Sequence, residues 1–106
     1  MVTKVTTETF EQEILKAEGP VLLDCYADWC GPCRMMSPVV DAMAEKFEGQ
    51  LKVCKLNVDD DGDAVVPYRV MSIPNFLFFK NGEVVKNLVG GMRPADFEAA
   101  IREVLG

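Results

Sequence analysis

The chain of 106 residues contains no histidine. That absence excludes Cys-His catalysis and histidine-bound metals, so any proton transfer has to use a carboxylate, a lysine, a thiol or water. Basic residues are outnumbered, 11 Lys and Arg against 17 Asp and Glu, and the net charge of −6 comes with no basic run. Nucleic acid is therefore not an expected partner. Long apolar runs are missing too: none approaches the ~20 residues that cross a bilayer, so no membrane partner is expected either. Met1-Val2-Thr3-Lys4 opens no hydrophobic stretch of signal-peptide type. The default location is then the cytoplasm, where lasting structural disulfides are rare. No repeat, linker or low-complexity segment breaks the chain, and its length suits one domain over residues 1–106. With 49% hydrophobic residues it can build a core without disulfide or metal staples.

What is present centres on Trp29-Cys30-Gly31-Pro32-Cys33. An apolar run over 21–27 leads into it and a helical pattern over about 34–47 leads out. The motif thus belongs at a helix start, directly after a strand. The first turn of a helix has free N–H groups and the positive end of the dipole, and both stabilise a thiolate. Pro32 suits that turn, where no N–H is needed. Cys30, ahead of the turn, is expected to be the exposed sulfur and Cys33 the shielded one. The chemistry favoured is thiol–disulfide exchange: Cys30 attacks a disulfide and Cys33 resolves the mixed disulfide.

Elsewhere the chain alternates strands with helices. Residues 2–6 suit a short edge strand, and a helix follows from near 7 or 9 to 17, with Thr9 and Gln12 spaced as a capping box. Residues 21–27 and 51–58 are apolar enough to be strands covered on both faces. The helix after the motif carries Met36, Val39, Val40, Met43 and Phe47 on one stripe, and Pro38 should kink it. A short helix is possible around 64–68. Residues 76–79 and 83–89 flank Asn81-Gly82, a type I′ hairpin signal. Pro94 opens a last helix with Phe97, Ile101, Val104 and Leu105 on its buried face. These elements give an α/β sandwich.

Two metal readings compete with exchange chemistry. Asn57, Asp59 and Asp61 with Gly62 fit the start of a calcium loop, but Tyr68 stands where the closing Glu belongs, so a solvated acidic loop is preferred. Cys25, Cys30, Cys33 and Cys54 formally fit a [2Fe–2S] spacing. Against it, Cys25 and Cys54 fall inside expected buried strands, whereas cluster ligands usually come from loops. Asp24 is the polar exception in its strand. A buried carboxylate has a raised pKa and suits a base that takes the proton of Cys33. Lys55 would partly balance its charge.

The chain resembles the thioredoxins over essentially its whole length. The motif at 29–33 matches the family's active site, Asp24 its buried carboxylate, Lys55 its buried lysine and Ile73-Pro74 its cis-proline segment. Phe79-Lys80-Asn81-Gly82 matches the late hairpin and Val89-Gly90-Gly91 a groove-lining segment. The resemblance implies the thioredoxin fold, a central mixed five-stranded sheet flanked by four helices. It implies a protein-disulfide reductase and electron carrier without cofactor, acting as a monomer on disulfide-containing proteins and re-reduced by a thioredoxin reductase. Cys30 and Cys33 would form the redox disulfide, and Asp24 and Lys55 would assist. Trp29, Gly31, Pro32, Ser72, Ile73, Pro74, Gly90, Gly91 and Met92 would line the substrate groove. Cys25, Tyr26 and Asn75 depart from the common Phe, Trp and Thr, which bears on redox tuning and partner choice. In this fold the strands carrying Asp24 and Lys55 are parallel neighbours. Pairing those two residues would leave Cys25 and Cys54 diagonal, ~7–8 Å apart, beyond the usual reach of a disulfide. Two other functions remain open: a redox-independent binding module or scaffold, and a cluster-bearing electron carrier.

Overall fold

The apolar run after Gly19-Pro20 forms β2 (Val21–Tyr26), the middle strand of a five-stranded sheet in the computed structural model, which describes residues 1–106. Its companions are β1 (Val2–Lys4), β3 (Lys52–Asn57), β4 (Asn75–Lys80) and β5 (Glu83–Val89), in the order β1-β3-β2-β4-β5. The pairings of β3 with β1 and β2 are parallel; β4 runs antiparallel to both β2 and β5. The helices are α1 (Glu11–Leu15), α2 (Gly31–Lys46), α3, which starts as the α-turn Val58–Asp61 and continues as the 3-10 stretch Gly62–Tyr68, and α4 (Pro94–Leu105). This is the mixed sheet with four helices that the resemblance implies.

Strand alternation divides the core in two. On one face Leu22, Val53, Phe76 and Phe78 pack with Met36, Val40, Met43 and Phe47 and with Phe97, Ile101 and Val104 of α4. On the other, Val21, Leu23, Cys25, Cys54, Leu56, Leu77 and Phe79 pack with Phe10, Ile14 and Val65. Phe97 has no exposed surface and its ring meets Phe76 edge-on, centroids 4.8 Å apart. A fully buried Phe of this kind contributes up to about 3 kcal/mol.

Three local expectations change. The first helix is a single wide turn closed by Lys16 N–H donating to Glu11 O at 2.9 Å, five residues back. Thr9 does not cap it with Gln12; its Oγ1 accepts the Thr6 N–H at 2.9 Å, closing a turn with Thr6 instead. The acidic stretch is helical rather than a loop, because Asn57 Oδ1 accepts the Asp59 N–H at 2.9 Å and three aspartates fill the first turn, where the dipole favours them. Helix α2 continues through Pro38, which is exposed.

The hairpin joining β4 and β5 turns on Asn81 (φ 52°) and Gly82 (φ 79°), the double positive φ of a type I′ turn. A Cβ on Gly82 would also meet the Leu15 carbonyl oxygen at 3.0 Å, so backbone conformation and space both require glycine there.

Candidate functional site

The C-terminal end of β2 hands the chain to the first turn of α2, and the motif occupies the junction. Cys30 is the N-cap, and its Sγ accepts the Cys33 N–H at 3.2 Å. A side-chain cap therefore starts the helix at Gly31, with Pro32 and Cys33 in its first turn as the motif's placement implies. Pro32 lies in the first turn, exposed and with no N–H to leave unsatisfied. Cys30 and Cys33 form a disulfide, Cα atoms 5.2 Å apart. Contrary to expectation, Cys30 is as buried as Cys33, with 4% and 5% exposure. The cause is local: Cys33 and Ala27 pack against it, with Ile73 at the edge of the cluster.

Across from the disulfide, Ile73-Pro74 is cis, and Ile73 O lies 3.8 Å from Cys30 Sγ. Gly90 N–H donates to Pro74 O at 2.8 Å, which ties the glycine segment to the proline. Met92 N–H meets Met36 Sδ at 3.5 Å, so this segment also leans on α2; Gly91 beside it is exposed. Trp29 is 69% exposed and its Nε1–H donates to Asp59 Oδ2 at 2.8 Å. Trp29, Ser72 and Ile73 share a cleft of about 280 Å³ with Val58, Val70 and Met71. Sequence reasoning missed these last three. Met71, 88% exposed beside Ser72, offered only its neighbourhood as a signal. Asn75, buried behind Pro74, accepts a hydrogen bond from Asn87 Nδ2.

Asp24 lies in β2 with 7% exposure, and its Oδ1 has no hydrogen-bond partner. Burial pushes its carboxyl up from the ordinary 3.8 to about 7, with Lys55 pulling down and Asp41 pushing up by smaller amounts. The carboxyl borders a cavity of about 390 Å³ that Cys33 and Lys55 also line, together with Tyr26, Asp28, Arg34 and Ser37. Ser37 was legible in principle, since it stands four residues after Cys33 on one face of a helix. Arg34 Nη1 donates to Asp28 O at 2.8 Å and closes one side.

Asp24 pairs with Lys55, Leu23 with Cys54 and Cys25 with Leu56, which is the diagonal offset expected of the two cysteines. Both are free and buried in the opposite core, where burial pushes their thiols up to about 12 and 11. Two faces of the sheet thus separate them from Cys30 and Cys33, and the formal [2Fe–2S] spacing does not become a ligand set. The aspartates of the calcium reading have protein partners: Asp59 holds Trp29, and Asp61 Oδ1 accepts from Thr7 N–H at 2.9 Å.

The arrangement is a Cys30–Cys33 disulfide at a helix start, a carboxyl and a lysine behind it, and an apolar cleft beside Trp29 and Ile73. As a disulfide it can take two electrons from a dithiol, and as a dithiol it can give two electrons to a disulfide in an extended chain. The family model described as Thioredoxin matches residues 1–103. A Pseudomonas aeruginosa protein named Thioredoxin is 46% identical over 92% of this chain and 91% of its own length. Another of that name from Porphyra purpurea is 42% identical over 98% and 97%, and Thioredoxin 1 of a Nostoc species is 46% identical over 84% and 83%. The fold, the cysteine pair and these relatives agree, and the chain belongs to the thioredoxin family.

Proposed function

We propose that this single-domain chain reduces protein disulfides with Cys30 as the attacking thiol, Cys33 as the resolving thiol and Asp24 as the base for the second step. The observation that carries the reading is the Cys33 N–H directed at Cys30 Sγ at the start of α2, with the Asp24 carboxyl in the cavity that Cys33 borders. In the reduced protein that N–H and the helix dipole favour a thiolate at Cys30. The thiolate attacks one sulfur of the substrate disulfide and the other leaves as a thiolate. Cys33 then attacks Cys30 Sγ and gives its proton to Asp24, and the substrate's second sulfur departs. Two electrons have moved to the substrate, and Cys30–Cys33 is a disulfide again. A carboxyl near pKa 7 can hold or accept that proton at neutral pH.

Trp29, Gly31, Pro32, Ser72, Ile73, Pro74, Gly90, Gly91 and Met92 serve as the surface on which an extended substrate segment lies beside Cys30, with main-chain contacts at the Ile73-Pro74 bond. A thioredoxin reductase returns the disulfide to the dithiol. The chain works as a monomer in the cytoplasm, where a dithiol can be kept reduced. No helix is long and apolar enough to cross a membrane.

A reduction assay on a model disulfide protein, run with NADPH-flavin and ferredoxin-dependent reductases in parallel, tests this reading. Turnover with one reductase, abolished by Cys30→Ser, is the expected result. Full biological activity in a Cys30→Ser/Cys33→Ser double variant would make the fold a scaffold instead.

A further inference from the structure

Lys55 stands in register with Asp24, yet takes part in none of the chain's salt bridges and donates no side-chain hydrogen bond. What its ammonium does meet is an aromatic face: Lys55 Nζ lies 5.8 Å from the centroid of the Tyr26 ring. That is within the range of a cation–π contact. Tyr26 is two residues after Asp24 on the same strand, so both point to one side of the sheet, and both border the cavity beneath Cys33. Its hydroxyl makes no hydrogen bond in the structure, so the ring is the part that acts on Lys55. Lys4 of β1 is in register with Lys55 on its other side and also faces the Tyr26 hydroxyl.

We propose that Tyr26 is a positioning residue for the resolving step: its ring holds the Lys55 ammonium on the Asp24 side of the cavity. The proposal rests on the reading of Asp24 as the base. An ammonium held there favours the ionised carboxylate; one released to solvent is screened and favours it less. The other charges facing this space are Asp41 and Arg34 of α2, Asp28 of the strand-to-helix junction, Lys4 of β1 and Asp60 of α3. None of them touches the Lys55 ammonium, so the ring sets where that charge sits.

The test follows the Asp24 carboxyl by 13C NMR, its signal assigned by loss in Asp24→Asn. Oxidised wild type, Tyr26→Phe, Tyr26→Leu, Lys55→Met and the Tyr26→Leu/Lys55→Met double variant are titrated. Tyr26→Phe should keep the wild-type midpoint. Tyr26→Leu should raise it by roughly half a pH unit, a threefold loss of ionised carboxylate below the midpoint. In the Lys55→Met background Tyr26→Leu should change nothing. A midpoint that stays or falls in Tyr26→Leu, or a shift that persists without Lys55, overturns the proposal. If Tyr26→Leu does not fold, Tyr26→Met carries the same comparison. Release of a Cys30 mixed disulfide, measured against pH in the same variants, should follow the same midpoints. Midpoints that move while the release profile stands still would remove Asp24 as the base and with it the role of Tyr26 in the resolving step, leaving only the placement of Lys55 beside Asp24.

Discussion

Replacing Asp24 by Asn should stabilise the protein, and by an amount that depends on pH. The carboxyl is raised from 3.8 to about 7 by burial, so the folded state holds its proton longer than the unfolded chain does. Between those values the unfolded state has lost the proton and the folded state has not. The stability that proton binding lends is complete below pH 3.8, declines as pH rises through the interval, and is gone once the folded carboxyl ionises above about 7. Asn is not subject to that decline. Three pH units correspond to about 4 kcal/mol at alkaline pH, against about 5–15 kcal/mol for the stability of a whole domain. Lys55 is retained in the variant and Asn needs its own partners, so about 2–4 kcal/mol is the expected gain at pH 8.5. Urea denaturation of the oxidised proteins at pH 4, 7 and 8.5 measures it. With ordinary slopes the midpoint of Asp24→Asn should lie about 1–2 M higher at pH 8.5, and close to wild type at pH 4. An equal or larger gain at pH 4 would refute a buried carboxyl with a raised pKa.

Other outcomes follow from the packing. Unfolding the oxidised protein without reductant should expose two alkylatable thiols that map to Cys25 and Cys54; none would mean a second disulfide and a different register. Gly82→Ala should destabilise by about 1–2 kcal/mol in denaturant unfolding, since φ is 79° and the Leu15 carbonyl stands in the way; an unchanged midpoint would mean that the turn relaxes freely. Phe97→Ala should cost about 3–5 kcal/mol through the cavity it leaves beside Phe76, and a loss under 1 kcal/mol would contradict that packing.

The sheet was legible because its signals are local and redundant. The apolar run of β2, the Asn81-Gly82 turn and the alternation that puts Cys25 and Cys54 opposite Asp24 and Lys55 all follow from short stretches. The resemblance supplied the mixed sheet and the parallel pairing of the Asp24 and Lys55 strands, and the register of Asp24 with Lys55 then fixed the cysteines. What stayed hidden depends on side chains meeting across elements. The start of α2 at the motif was legible, but not that the Cys30 sulfur caps it. The burial of Cys30 comes from Ala27 and Cys33 closing on it once the first turn of α2 folds, with Ile73 from a distant segment at the edge. The acidic stretch gave the charges of a loop but lacked any visible sign that Asn57, Trp29 and Thr7 would tie it into a helix. Tyr26 and Lys55 lie on different strands, and only their register brings ring and ammonium together.

The most direct measurement is to trap the exchange intermediate. Reduced Cys33→Ser is mixed with a disulfide protein, the thiols are quenched, and the adduct is digested and mapped by mass spectrometry. The account predicts a stable mixed disulfide through Cys30, formed quickly and released slowly, and no adduct with Cys30→Ser on the same timescale. Adducts through Cys33 in the Cys30→Ser protein, or release of reduced product from Cys33→Ser at the wild-type rate, would contradict it.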